Sequence, residues 1–568
     1  LIIEEGPWLG GMLTSAGVSA IDGNYKLYSG LWEEFRQKLY EYYGGADKVR
    51  TGWVSSVLFE PSVGAGIILQ MARQEPNLEV KFGHRLVALK KEKQGWTATV
   101  EADNQTFTIK AKVVVDGTEL GDVAAMTGVP YDIGMDSRYD TGESIAPEKA
   151  NDIIQDLTYV VVLEDFGPGV DKTIPRPENY DPTPFYCCCA GKCDPDTITR
   201  TLWECGHMLQ YGRLPNNKFM INWPIYGNDY YLNIIEMSPA ERLQALEKAK
   251  WFTRCFIYYI QTELGFSNLG IAQDEFPTED GFPLIPYHRE SRRIQGVVRF
   301  GIEDLARPFL QQEALYRTGI AVGDYPVDHH HAAYHDQTLI PDLHFYPVPS
   351  YALPLGTLIP QAVSDLIVAE KSISVTNIVN GTTRLQPVCI LLGQAAGALA
   401  ALSVELKVTP GEVPVRLVQQ RLLDSGAYIM PYSDVVPGDP FFEAVQRIGA
   451  TGLIKGEGKN VGWQNFTYFH PDSVMTSEAL TEGLKDLVPQ LSFAFSGEKV
   501  TVAEAVEVGC RMASVKKAEI DRKSLEELAQ QKWEANGWGQ FLPDRPVTRT
   551  QTAVILDALA DPFTNFPV

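Results

Sequence analysis

Cysteine is scarce in this chain. Eight cysteines in 568 residues cannot staple a protein of this size, which excludes a disulfide-held scaffold. Four of them crowd together at Cys187, Cys188, Cys189 and Cys193, yet no CxxC pair occurs. A zinc ribbon needs two spaced pairs. The expectation is a partly buried thiol cluster in an inserted loop, with the redox compartment open. Positive charge is also in deficit. The 49 Lys and Arg against 72 Asp and Glu leave a net charge of −23. That excludes a broad phosphate-neutralising surface, and with it nucleic acid as the main partner. Long apolar runs are nearly absent. The most membrane-like stretch, Val388–Val404, holds Gly393, Gln394 and Gly397. It is barely long enough to span, so a buried core helix is expected and no transmembrane span. No secretory leader is visible. The chain opens on Leu1-Ile2-Ile3 without a methionine, as a chain starting inside a domain would.

What is present is globular. Hydrophobic residues make up 45% and charged residues 21%, and the length suits three to four domains, or two large ones and a small one. Residues 1–11 read as a strand and a glycine-rich turn. Helical spacing follows at 31–43 and 62–73, then a strand near 78–82. Two hairpin strands, Arg85–Lys93 and Trp96–Ala102, flank a Gln94-Gly95 turn, and a third strand covers Thr106–Lys110. Lys112–Asp116 is an apolar strand ending in an acid. Apolar strands mixed with helices predict an α/β fold with a parallel sheet. From about 130 to 300 proline and tyrosine become frequent. Strands at Thr158–Glu164 and Tyr230–Ile235 and a helix at Pro239–Leu264 suggest an inserted α+β domain. The α/β style returns at Asp365–Ala369 and in a helix from about Gln386 to Val404.

The expected division is therefore 1–130 and 301–410 as two parts of one domain, 131–300 as the insertion, and 411–568 as a mainly helical module. That module repeats itself weakly. Phe469-His470-Pro471-Asp472 precedes Thr476, and Phe541-Leu542-Pro543-Asp544 precedes Thr548, 72 residues on. Each threonine suits a helix N-cap.

Three stretches carry chemistry. In the first, the strand end Ile3-Glu4-Glu5-Gly6 leads to Gly10-Gly11-Met12-Leu13-Thr14. An acid at such a strand end accepts hydrogen bonds from an adenosine ribose, and glycines after it let backbone approach a pyrophosphate. The second is Asp116-Gly117-Thr118-Glu119-Leu120-Gly121-Asp122, a βα turn that could wrap a diphosphate. The third runs from Asp365 through Glu370 and Asn380-Gly381-Thr382-Thr383-Arg384 to Pro387 and the GQAAG of residues 393–397. Pro387 suits a first helical turn, whose N-terminus carries partial positive charge.

Together these motifs resemble the bacterial FAD-dependent oxidoreductase family of the glutathione-reductase-like flavoprotein fold. The resemblance continues at Phe59-Glu60-Pro61, at Arg289-Glu290-Ser291-Arg292-Arg293 and at Gly323-Asp324-Tyr325-Pro326-Val327-Asp328, in order over roughly residues 1–405. It implies an FAD/NAD(P)-binding Rossmann-like domain with an inserted substrate domain. It also implies FAD held by Glu4, Gly10, Gly11, Met12, Thr14, Gly117, Thr118, Asp122, Glu370, Arg384, Pro387, Gly393, Gln394 and Ala395. The family's first strand and GxGxxG turn lie outside this sequence, and without them weak FAD binding is expected. The module after 411 resembles S-layer homology repeats, which bind cell-wall polymers, although packing or dimerisation is an equal expectation.

The expected function is hydride transfer between a small polar substrate and flavin. One of His329, His330 and their neighbours would act as base near neutral pH, with Tyr325, Asp328 and Arg384 as further polar candidates. His329-His330-His331 with His335 does not read as a metal centre, because neighbouring side chains point different ways. The competing readings are a non-catalytic cell-envelope protein built on a degenerate flavin fold, and a metal hydrolase. A cell-envelope or periplasmic location is favoured slightly over the cytoplasm, and a homo-oligomer remains open.

Overall fold

The computed structural model describes residues 1–191, 193, 202–343, 346–516 and 521–566. Two short parallel pairs carry the α/β character. Ile2–Glu4 lies beside Val80–Phe82, and Val114–Asp116 lies beside Leu366–Val368. The two pairs form separate ladders. Between them in sequence lies an antiparallel meander of Arg85–Lys91, Trp96–Ala102 and Gln105–Ala111. In its middle strand Trp96, Ala98, Val100 and Ala102 are buried and the residues between them are half-buried, the two-residue period of a pleated strand. The helices expected at 31–43 and 62–73 run over Gly30–Tyr43 and Pro61–Gln74.

The inserted region has a three-stranded antiparallel sheet with Val161–Asp165 at its centre, flanked by Lys218–Ile221 and Leu269–Ile271. Its central strand is apolar at successive positions because both faces are covered. Val160 and Val162 join the main core, whereas Val161 and Leu163 face a second core with Phe185, Phe256 and Ile260. The last two come from the Pro239–Thr262 helix, which starts in a capping box of Ser238 and Glu241.

Two expectations need correcting here. Only Asp229–Tyr230 is strand in the 230–235 stretch. Asn233 instead accepts the Ile235 amide at 3.2 Å, and Arg242 and Arg292 donate to the Ile235 carbonyl. Side chains thus take the backbone groups a ladder would use. The cysteines are not a free thiol cluster either. Cys187 is bridged to Cys193, and Cys189 to Cys205. The second partner lies 16 residues away, outside the cluster that drew attention. Cys188 remains a buried thiol, pushed up to about 12 by burial.

The Gln386–Leu406 helix is long and apolar enough to cross a membrane by length and composition alone. Leu391, Leu392, Ala395, Ala396, Leu399 and Leu402 bury one side of it in the main core.

That core continues without a break into residues 411–566. There, three segments meet in a closed ring of backbone hydrogen bonds. The Met475 amide donates to Val547, Val547 to Val500, and Val500 to Met475, at 2.9–3.0 Å. The next residue of each segment, Thr476, Thr548 and Thr501, caps a helix: Ser477–Leu487, Arg549–Ala560 and Val502–Lys516. The sequence repeat therefore has a third copy between the two recognised. It lacks the Pro-Asp dipeptide by which the others were found.

Candidate functional site

The stretch from Thr376 to Gln386 folds as one buried turn-and-restart. Thr376 accepts the Val379 amide and starts the Asn377–Thr383 helix, which ends at Arg384. The long helix begins two residues later, with Pro387 in its first turn. Asn380 donates to the Arg289 carbonyl at 3.1 Å, and Thr382 to the Tyr325 carbonyl at 2.6 Å. A Cβ on Gly381 would lie 2.5 Å from the His329 ring. Glycine there lets the 325–331 loop close onto the helix.

Around this junction charged side chains converge from four segments. The His330 Nδ1 lies 3.0 Å from Asp229 Oδ2, and its Nε2 lies 3.1 Å from Asp328 Oδ2. Arg289 reaches Asp229 at 3.1 Å and donates to Thr158 and the Asp156 carbonyl. Arg384 donates to Tyr287 Oη at 2.7 Å, to Asp328 Oδ2 at 3.1 Å and to the Asp328 carbonyl at 3.0 Å. Burial and Arg289 oppose charge on His330, but Asp328 and Asp229 outweigh them and raise its pKa. Both ring nitrogens face carboxylate oxygens. Burial likewise opposes ionised Asp328 and Asp229. His330 and Arg384 for the first, Arg289 and His330 for the second, nonetheless keep both below the usual carboxylate range.

Asp22 differs from these. Its carboxylate is half-buried, forms no ion pair among the described residues, and accepts only a long 3.4 Å contact from Tyr25 Oη. Burial, and then the charge of Asp328, push it up to about 7. Tyr25 is 39% exposed, so Asp22 and Tyr25 lie on the solvent side of the ion cluster. The Asp22 amide donates to Gln386 Oε1 at 3.3 Å, which places Asp22 at the start of the long helix.

The nucleotide-type features lie elsewhere on the same domain. Glu4 ends its strand and accepts the Gly6 amide at 2.7 Å, and burial raises its pKa. Gly10 and Gly11 follow at φ +109° and +49°, and a Cβ on Gly11 would lie 2.8 Å from Glu119 Oε1. In contrast, a Cβ on Gly117, Gly393 or Gly397 would meet nothing within 4 Å. A strand-end acid followed by a left-handed glycine turn suits the adenosine end of FAD, and the residues present there fit that group.

The other expected site residues are placed as follows. Thr14 is buried and donates to the Leu9 carbonyl at 2.6 Å, closing the glycine turn. Met12 and Ala395 are buried in the core. Thr118 bonds Asp116 Oδ1 and accepts the Asp122 amide. Asp122 is paired with Arg242 and Arg292, which makes it a tie to the inserted region. Glu370, at φ +63°, pairs with Lys371. Gln394 accepts the Leu31 amide at 3.0 Å.

His329 lies against the Ile378 carbonyl at 3.2 Å, and burial lowers it to about 4. Tyr325 is half-buried beside Gly23. Both ring nitrogens of His330 face carboxylate oxygens, of Asp229 and Asp328. The cluster residues not singled out from the sequence are Asp22, Asp229 and Arg289. Arg289 stood in the quoted arginine run. Asp229 had no local signal. Among the described residues no group of three or more His, Cys, Asp and Glu is placed to hold a metal.

A model of the FAD dependent oxidoreductase family matches residues 1–422. The chain belongs to that family, and FAD is its cofactor. The comparison with curated proteins returned no match. Among solved structures, p-nitrophenol 4-monooxygenase PnpA from Pseudomonas putida DLL-E4 is 19% identical over 19% of this chain and 24% of its own, with TM-score 0.14. The aromatic hydroxylase CabE, from angucycline biosynthesis, is 13% identical over 31% and 37%, with TM-score 0.19. The flavin-dependent monooxygenase PieE, solved with FAD and substrate, is 13% identical over 29% and 34%, with TM-score 0.17. The chain thus spans well under half of each of these proteins, and likenesses this short carry no argument about the reaction.

Proposed function

We propose that this protein is a flavoenzyme that oxidises or reduces a small polar substrate beside Asp22. One observation carries the reading. Asp22 is a half-buried carboxylate with no ion pair among the described residues, beside two carboxylates, Asp229 and Asp328, that are both ion-paired. When bound, FAD supplies the hydride acceptor or donor. The chain supplies the rest. Asp22 takes the proton of a substrate hydroxyl, and its raised pKa suits proton exchange near neutrality. His330 is fixed between Asp229 and Asp328, and Arg384 between Tyr287 and Asp328. They are positioning residues that hold the ion cluster rigid and leave Asp22 as the group able to change charge. Glu4, Gly10 and Gly11 would hold the adenosine end of FAD. The start of the Gln386–Leu406 helix would favour negative charge at the other end.

The purified protein should take up FAD and show bound-flavin absorption. Asp22→Asn should keep the flavin while losing its reduction by substrate. No flavin uptake by the folded protein would end this reading.

The two disulfides support a location in an oxidising compartment such as the cell envelope. The three threonine-capped segments support an S-layer-homology-like role for residues 411–568. Co-sedimentation with purified cell walls tests that role.

A further inference from the structure

We infer that a hairpin of the C-terminal module, residues 457–468, is a positioning element of the Asp22 site and holds the loop that carries Asp22 and Tyr25. The inference rests on the flavoenzyme reading above. It gives the site a part of the chain that a wall-binding role does not use.

The loop is bent by its own backbone. Gly23 and Asn24 follow Asp22 at φ +85° and +51°, both left-handed. Such a bend turns the following amides inward, where they need an acceptor. Asp324 supplies it. It stands just after the strand Gly319–Gly323, and its Oδ1 accepts the Asn24 amide. Backbone bonds from Tyr25 and Lys26 reach the same carboxylate. Asn24 also donates from Nδ2 to the Val322 carbonyl at 3.0 Å. The course of the chain from Asp22 to Lys26 is therefore set by where Asp324 is held.

The module grips this arrangement from two sides. Its strands Glu457–Val461 and Gln464–Tyr468 pair antiparallel. From the second strand, buried Asn465 donates to the Asp324 carbonyl at 2.8 Å. Asn460 donates to Asn465 Oδ1 at 2.6 Å, which turns the Asn465 amide nitrogen toward Asp324. The next residue, Phe466, has the Lys26 ammonium 4.8 Å from its ring centroid. Thr467 then donates to the Ser350 carbonyl at 2.7 Å and fixes the strand to the flavin-type core. Where the loop leaves the site, the Tyr428 amide donates to Ser29 Oγ at 2.9 Å, and the Gly30 amide to the Gly426 carbonyl at 3.3 Å. Residues 22–30 are thus clasped by the chain beyond residue 411, directly at Lys26, Ser29 and Gly30 and through Asp324. An anchor tethered to an enzyme needs none of these bonds. A site whose proton-transfer group must keep one orientation does.

The test uses the full-length protein after FAD reconstitution. Mass spectrometry reads hydrogen exchange over residues 22–27, and fluorine NMR reads 3-fluorotyrosine placed at position 25. Asp22→Asn should shift that resonance, which makes it a reporter of the Asp22–Tyr25 contact. Asn465→Leu removes the donor at nearly constant size. It should move the resonance and speed exchange of the loop amides about five- to tenfold. Lys26→Met, at an exposed side chain, should speed exchange about two- to fivefold, and Lys26→Arg should restore the parent rate. The Lys26 pair decides the question if Asn465→Leu does not fold. Thr501→Ala removes a helix cap elsewhere in the module and should leave both readouts at their parent values. Parent-like exchange and fluorine shift in the folded Asn465→Leu and Lys26→Met variants, or equal changes in Thr501→Ala, overturn the inference. Neither readout needs flavin or substrate, and flavin absorption is read on the same samples. FAD uptake with an unmoved loop overturns the hairpin's role and leaves the flavoenzyme reading. A loosened loop in a protein that takes up no FAD does the reverse.

Discussion

The ring at Met475, Val500 and Val547 and the ion cluster beneath Asp22 both bury polar groups, but they satisfy them differently. In the ring, each backbone amide has a backbone carbonyl, and each capping threonine bonds an amide three residues ahead. These bonds are repeated three times, and each cap is closed within one helical turn. In the cluster, Asp22, Asp156, Asp229, Arg289, Asp328, His330 and Arg384 come from segments far apart in the chain. Asp156 Oδ1 and the Nε atoms of both arginines are left without partners. Buried polar atoms are ordinarily satisfied.

Substitutions can break this contrast. The largest effect is expected at Asp22. Asp22→Asn should slow anaerobic flavin reduction per flavin by about 10²–10⁴ while leaving the thermal midpoint nearly unchanged. A rate within a few-fold of the parent would remove Asp22 as the base. Arg289→Met should leave Asp229 with His330 and Thr158 as its partners and lower unfolding free energy by about 1–3 kcal/mol, read by urea denaturation. No loss there would mean that His330 and Thr158 suffice to hold Asp229.

The ring should behave in the opposite sense. Met475 is fully buried, and Met475→Ala should cost about 2–5 kcal/mol with turnover per folded molecule intact. Loss of turnover in the folded variant would couple the ring to the Asp22 site. Thr548→Ala should cost about 1 kcal/mol, with Thr548→Ser restoring it.

The smallest expected effect is one of pH. Burial raises Asp22 and Asp156 to about 7, so the folded state binds their protons more tightly than the unfolded chain does. Their contribution is complete below about pH 4 and is lost as pH rises through about 7. Asp229 and Asp328, held low by their cations, contribute in the other direction and lose stability toward acid. Melting curves across this range should decline less steeply in Asp22→Asn. An unchanged slope would assign the decline to Asp156.

The two regions were also unequally legible. Thr476 and Thr548 were readable as caps because a cap and its helix adjoin in sequence. Thr501 was missed because the search keyed on Pro-Asp turns. The glycine turn was readable for the same local reason. Glu4, Gly10 and Gly11 are neighbours, and their turn needs left-handed backbone that glycine adopts without strain. The ion cluster was readable only in pieces. His330 was singled out, but nothing near it reports that Asp229, about a hundred residues away, occupies its Nδ1.

The sequence by itself determined the helices, the glycine turns, the alternating strands and the family. These follow from interactions spanning a few residues and from motifs carried intact along the chain. Packing across the chain settles which cysteines are joined, that Asp122 pairs with two arginines, that Met12 and Ala395 face the core, and that His330 lies between Asp229 and Asp328. Each of these depends on which distant side chain fills the next few ångströms, and packing of the inserted sheet against the flavin-type core settles that.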